Sequence, residues 1–163
     1  MRVYLPGTIA MLRDLETAGE FRARSGTAFA LTPALRESYA SGSDEELEYA
    51  ALLDAARASL RLIAAEEKPE ARRVVISADV EGVTLRADLD AAVVRLAGPV
   101  KLEDIAAIHV DAAEAAESVQ AAAAVIDEAD LGDPDAEFTL GDAEDHELAW
   151  YAPQELPFLL ELL

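Results

Sequence analysis

The sequence predicts an α+β protein: a single mixed, mainly antiparallel sheet of about six strands covered by helices. Three observations carry this. Ser43-Asp44-Glu45-Glu46 reads as a capping box, in which the serine accepts a backbone N–H and the glutamate three residues on reaches back. The run Arg73–Val80 (RVVISADV) is rich in the β-branched residues that favour strands. The strand-like segments are joined by turns of hairpin length, Glu81-Gly82 and Gly98-Pro99, where a parallel crossover needs a dozen residues or more.

In chain order, Arg2–Leu5 is a short strand ended by Pro6-Gly7. Thr8 caps a helix in which Ile9, Leu12 and Leu15 recur at helical spacing, and Gly19 closes it. Phe21 to Thr27 is a basic loop and Ala28–Leu31 a second strand. Thr32-Pro33 opens a short helix, proline suiting the first helical position, and Ser41-Gly42 ends it. The long helix runs from Asp44 to about Ala65, with Leu47, Ala51, Ala55 and Ala58 on its apolar face. Asp54, Arg57 and Arg61 share the opposite face, where Asp54 and Arg57 stand at pairing distance along the helix. Val83–Arg86 is expected to return antiparallel to Arg73–Val80, followed by strands at Ala92–Leu96 and Ile105–Val110. Within Arg73–Val80, Val74, Ile76 and Ala78 should face opposite to Val75 and Ser77. Asp111, with Glu114 three residues on, reads as the cap of an alanine-rich helix reaching about Ile126. Asp127–Glu147 reads as an acidic, solvated and mobile loop. Leu148–Tyr151 is a last strand, and Gln154–Leu163 a final helix that tolerates Pro157 only near its start.

The length of 163 residues fits one domain, residues 1–163, with the polar break at 66–71 as the place for an internal seam. There is no cysteine, which excludes disulfides, thiolate metal sites and a cysteine nucleophile. The opening MRVYLPGTIAMLRDL is interrupted by Pro6-Gly7 and by charge at Arg13 and Asp14, so it does not read as a signal peptide. No apolar run approaches the ~20 residues of a membrane span. The expected location is the cytoplasm.

Charge is distributed unevenly. Residues 1–101 carry 13 Lys and Arg against 16 Asp and Glu, whereas residues 102–163 carry 17 acids and no Lys or Arg. The resulting net charge of −20 repels phosphate backbones and anionic lipid, so neither nucleic acid nor membrane is an expected partner. The plain consequence of such charge is solubility; the specific one is an acidic surface for a basic partner. Asn is absent and about a fifth of the chain is Ala, which fits a GC-rich coding sequence as well as any structural demand.

Several stretches resemble an actinobacterial family of uncharacterised proteins, a domain of unknown function. They are MRVYLP at the start, TPALRE at Thr32–Glu37, DEELEYAALLDAARASLRL at Asp44–Leu62, RRVVISADV at Arg72–Val80 and AAIHVD at Ala106–Asp111. The resemblance implies a bacterial cytosolic protein without an established activity, and it carries no catalytic residue to this chain.

The dinucleotide, P-loop, zinc-protease and nucleophile-elbow signatures are all missing. His109 and His146 are the only histidines. His109 with Asp111 is the nearest to an acid/base pair, although a half-buried strand histidine bonded to a neighbour and a capping aspartate explain both residues more simply. Arg22, Arg24 and Arg36, with Ser25, Gly26 and Thr27 between them, form a basic island of the composition an anion site uses. The plainer account is that these arginines pair with carboxylates. Asp133, Asp135 and Glu137, with His146 further on, loosely echo a calcium loop, but Phe138 stands where the loop needs glycine. No metal site and no cofactor is assigned. Tyr49 reads as a core or interface aromatic, and Ser59 has no base near it in sequence.

Three function classes follow in order of preference. The first is a small cytosolic non-catalytic interaction or regulatory protein, a homo-oligomer or the binder of a protein partner. The second is a small enzyme or ligand-binding protein acting on an anionic small molecule through the arginine island. The third is a weak divalent-cation binder through the acidic loop.

Overall fold

A computed structural model describes residues 1–163. The elements run β1 (Arg2–Gly7), α1 (Ile9–Ala18), β2 (Glu20–Phe21), β3 (Thr27–Phe29), α2 (Pro33–Ser38), α3 (Asp44–Ala65) and β4 (Val74–Asp79). They continue with β5 (Thr84–Leu85), β6 (Val93–Arg95), β7 (Val100–Lys101), β8 (Ile105–Asp111), α4 (Ala116–Ala124), α5 (Ile126–Asp130), α6 (Pro134–Glu144), β9 (Leu148–Tyr151) and α7 (Leu156–Glu161). Seven strands form one sheet in the order β5-β6-β3-β1-β4-β8-β9, every neighbouring pair antiparallel, and β2 pairs with β7 as a small second sheet. The mixed α+β architecture with a mainly antiparallel sheet is therefore as the sequence predicts, with one strand more in the main sheet. No helix is long and apolar enough to cross a membrane.

Local signals placed the first three helices. Thr8 Oγ1 accepts from the Met11 N–H at 3.3 Å and Gly19 closes α1 in the left-handed region at φ +73°. Thr32 Oγ1 accepts from Leu35 N–H at 3.0 Å, ahead of Pro33. The capping box of α3 is complete: Ser43 Oγ accepts from Glu46 N–H at 3.2 Å and Glu46 Oε1 accepts from Ser43 N–H at 3.3 Å.

The sheet separates two apolar layers. Val3, Leu5, Val74, Ile76, Ile108 and Val110 face a core closed by α1 and α7. On the opposite face Tyr4, Phe29, Val75 and Val93 pack under Ala51, Ala55 and Ala56 of α3. Strand β4 is buried on both sides, with the alternation the sequence predicts. A third cluster joins Leu60 and Ile63, at the end of α3, to α4, α5 and α6. Buried Ser59 ties α3 to the sheet: its hydroxyl donates to Gly7 O at 2.7 Å and accepts from Val74 N–H at 3.0 Å. The two backbone groups it satisfies lie at the ends of β1 and β4, which explains a polar residue on the buried helix face.

Four expectations are corrected. Val83–Arg86 does not return beside β4, because β1 and β8 occupy both edges of that strand; β5 instead pairs with β6 at the far side of the sheet. Asp111 is no helix cap: it ends β8 fully buried and accepts from Arg73, and α4 begins five residues later after a turn of 3-10 helix at Ala113–Ala115. The acidic segment Asp127–Glu147 is not an irregular exposed loop. It contains most of α5 and all of α6, with Ala129, Ala136, Leu140 and Ala143 buried in the helical cluster. Its charge is offset from α3: Arg57 bonds both Asp130 and Glu137, and Arg61 bonds Asp130 at 2.6 and 2.8 Å. Arg57 accordingly pairs across to these helices and not with Asp54.

Candidate functional site

Strand pairing brings a row of polar and aromatic side chains onto the α3 side of the sheet. Tyr4 stands opposite Ser77, and His109 stands opposite Trp150. Ser77 and His109 are diagonal neighbours on β4 and β8, and Ser77 Oγ lies 2.8 Å from His109 Nε2. At this point Ala106 has no opposite residue, a bulge that bends the strand locally. Exposure rises along the row from Ser77 at 2% through half-buried His109 to Trp150 at 62%.

The electrostatics of the row favour neutral side chains beside one fixed ion pair. Burial, helped by the positive charge of Arg2, pushes the His109 imidazole below its ordinary value. Burial and the Glu48 carboxylate push the Tyr4 phenol up to about 12, and its hydroxyl donates to Glu48 Oε2 at 3.4 Å. Arg2 holds Asp79 through two parallel bonds of 2.8 and 3.1 Å, which keeps that carboxyl below the usual carboxylate range.

Chemically, the Ser77–His109 contact has the residue types of a nucleophile and its base but not their setting. The serine hydroxyl is sealed between β1 and β8, and no carboxylate bonds His109 Nδ1 to orient the ring. The contact satisfies one buried and one half-buried polar group.

That edge is the exposed feature of the site. Strand β9 pairs with β8 on one side only, and its outer backbone groups bond nothing else. Its sequence Leu148-Ala-Trp-Tyr151 contains none of the lysines, prolines or bulges that usually protect a sheet edge. Leu148 and Trp150 point to the α3 side, where Leu148 packs against the α3 cluster, whereas Tyr151 packs on the opposite core. By contrast, β5 at the other end of the sheet is two residues long.

Buried Arg73 fixes the approach to β9. Its Nε and Nη2 donate to Asp111 at 2.9 and 2.8 Å, and Nη2 also donates to the carbonyls of Ala143 and His146 at 2.9 Å each. One guanidinium thereby joins the end of β8, the end of α6 and the turn into β9. Asp111, a sequence candidate for acid/base chemistry, is engaged here, on the same strand face as His109 but bonded to Arg73.

The remaining sequence candidates lie elsewhere. Arg22 donates to Glu20 at 2.7 Å, and Arg36 pairs with Asp44 at the start of α3. Exposed Arg24 begins a one-turn 3-10 helix and makes no ion pair. Asp133 caps α6 by accepting from Ala136 N–H at 2.8 Å, Asp135 lies in that helix's first turn, and Glu137 bonds Arg57. His146 follows α6 and contributes its carbonyl to Arg73. These four side chains do not gather, and nowhere do three His, Asp or Glu side chains cluster in a way that could hold a metal ion. Sequence reasoning passed over Ser77, Arg73 and Trp150. The available signals were one serine within the apolar run Val74–Ala78 and a lone tryptophan in the short apolar strand three residues before Pro153.

The chain belongs to the DUF6912 family, a family of unknown function, whose model matches residues 1–160. No curated protein and no solved structure matches it.

Proposed function

We propose that the chain is a non-catalytic interaction protein that takes an extended, basic segment of a partner protein onto the free edge of β9. The observation that carries this reading is the unpaired outer edge of β9 with Trp150 standing out beside it. An added strand gains main-chain hydrogen bonds from such an edge, and side-chain pockets supply selectivity. Tryptophan is among the residues that most often dominate a binding interface. The partner is basic because β9 lies within the 62 residues that carry 17 acids and no Lys or Arg. The same charge argues against a second copy as occupant, since two chains of net charge −20 would meet through their acidic sides. The anion-site alternative has weaker support, as two of its three arginines already hold carboxylates.

Trp150 is the only tryptophan, so its emission reports on this edge alone. Twelve-residue peptides selected from a random display library should be enriched in Lys and Arg and should shift Trp150 emission to the blue. They should also move the backbone amide resonances of Leu148–Tyr151. Trp150→Ala should weaken the selected peptides by roughly 2 kcal/mol, about thirtyfold. Peptides that bind but leave the β9 amides unmoved would overturn the reading, as would a concentration-dependent dimer formed through β9.

A further inference from the structure

The hydrogen-bond phase of the sheet decides which groups of β9 remain free. Along a strand inside an antiparallel sheet, successive residues turn their backbone N–H and C=O alternately to one neighbouring strand and the other. Asp111 N–H donates to Arg73 O at 3.1 Å, so Asp111 turns its backbone towards β4, and His109, two residues earlier, does the same. Ile108 and Val110 therefore turn theirs towards β9, where they stand opposite Tyr151 and Ala149. Ala149 and Tyr151 use their N–H and C=O on β8, and Leu148 and Trp150 turn theirs outward to the free edge. The other side of β4 gives the same phase. Val80 N–H donates to Met1 O at 3.0 Å, so alternate residues back to Val74 point at β1 and leave Val75 and Ser77 for β8.

The outward phase is closed at both ends. His146 N–H donates to Ala143 O at 3.0 Å, and its carbonyl accepts from Arg73 at 2.9 Å. Ala152 N–H donates to Glu155 Oε1 at 2.8 Å, and its carbonyl accepts from Glu155 N–H at 2.9 Å. Four groups are left between these stops, the N–H and C=O of Leu148 and of Trp150, and no residue of β9 is buried. Alternation sets the side chains of the same two residues on the α3 side, where Leu148 packs. The residues that offer hydrogen bonds are thus also the residues that flank an incoming strand.

We infer that the basic partner segment joins β9 antiparallel in a single phase, two of its residues, two positions apart, exchanging N–H and C=O bonds with Leu148 and Trp150. This rests on the edge-docking reading and adds to it the pattern the partner must carry. Every neighbouring pair in the sheet is antiparallel, and such pairs are the more stable per residue. Directly paired residues hold their side chains together on one face. The two bonding residues therefore stand beside Leu148 and Trp150, and the residue between them turns its side chain to the other face and its N–H to solvent. Proline is excluded at the two bonding positions and admissible between them. A partner that slips by one residue must turn over, because β9 offers no groups in the other phase.

The test begins with the free protein, in which amide exchange should be fast at Leu148 and Trp150 and slower by about tenfold or more at Ala149 and Tyr151. Fast exchange at Ala149 and Tyr151 with protection at Leu148 and Trp150 would overturn the phase. The docking probe is a capped heptapeptide of alternating arginine and valine, N-methylated at every valine, at every arginine, or throughout. Binding is read from the amide resonances of Leu148–Tyr151, and proximity from nuclear Overhauser contacts to the Trp150 indole. With the valine amides methylated, arginine side chains should contact the indole; with the arginine amides methylated, valine methyl groups should. The fully methylated form, equal in charge, should bind weaker by about tenfold or more, since it has no N–H to donate. The α-proton of Ala149 should lie against that of the peptide residue opposite it, a contact that parallel docking lacks. Peptides that leave the β9 amides unmoved sink the docking reading and this inference with it. If β9 responds but the same residue type meets the indole in both singly methylated forms, or the fully methylated form binds equally well, the phase is wrong while the docking reading stands.

Discussion

Replacing Asp111 by alanine removes the acceptor at the centre of the Arg73 network. Three hydrogen bonds are lost, from the Arg73 backbone N–H at 2.7 Å, from Nε at 2.9 Å and from Nη2 at 2.8 Å. The guanidinium left behind is 3% exposed, so water cannot replace the carboxylate without opening the structure. Removing one member of a buried ion pair costs about 3–5 kcal/mol, and an orphaned buried N–H about 1–3 kcal/mol, part of which is the same loss counted twice. The expected destabilisation is about 4 kcal/mol, a large share of the roughly 5–15 kcal/mol that holds a domain together. For a chain of this length it corresponds to a fall in Tm of roughly 12 °C. Urea unfolding followed by circular dichroism at 222 nm measures it directly. The double variant Arg73→Met/Asp111→Leu removes both charges and should recover about 2 kcal/mol, short of wild type because the carbonyls of Ala143 and His146 lose their donor. Amide exchange at Glu144–His146 should accelerate in both variants, since Arg73 is what fastens the end of α6. An Asp111→Ala protein within about 1 kcal/mol of wild type, or a double variant no more stable than the single one, would refute the ion-pair reasoning.

Two further outcomes follow. Leu140→Ala, at a fully buried position of α6, should cost about 2–5 kcal/mol, whereas Phe138→Ala on the exposed side of that helix should change stability by less than about 0.5 kcal/mol; equal effects in urea unfolding would return this acidic segment to a solvated loop. Because burial lowers the His109 value in the folded state, the unfolded chain binds the extra proton first, so this contribution is intact above about pH 6.5 and is lost as pH falls through the folded value. His109→Gln should therefore flatten the decline in urea midpoint between about pH 7.5 and pH 5, with the depressed carboxylates common to both proteins cancelling; superimposable declines would show that burial does not bias this group.

How far the fold was legible depends on the distance over which each signal acts. The caps of α1, α2 and α3 are made by residues within four positions of one another, and all three are where the sequence places them. Asp111 shows the opposite case. Its spacing to Glu114 satisfies a capping pattern worth about 1 kcal/mol, but Arg73, 38 residues away, presents a buried charge whose compensation matters several times more. The acidic segment failed as a loop for a related reason. Asp133-Pro134 opens a helix and Ala136, Leu140 and Ala143 repeat at helical spacing, yet two of those three positions are alanine, which adds little hydropathy while burying completely. Ten acids in 21 residues then dominate the reading, because the arginines that offset them lie 69 to 80 positions earlier on α3. The site was hidden by the same logic of distance. Alternation puts Ser77, His109 and Trp150 on definite strand faces, but only the strand order β1-β4-β8-β9 aligns them and leaves β9 at the edge. That order depends on which edges of β4 are taken, and β1 and β8 take both with six and five paired positions while Thr84–Leu85 could offer two. Strand length decides the competition, and with it the strand order that leaves β9 and its exposed tryptophan at the edge of the sheet.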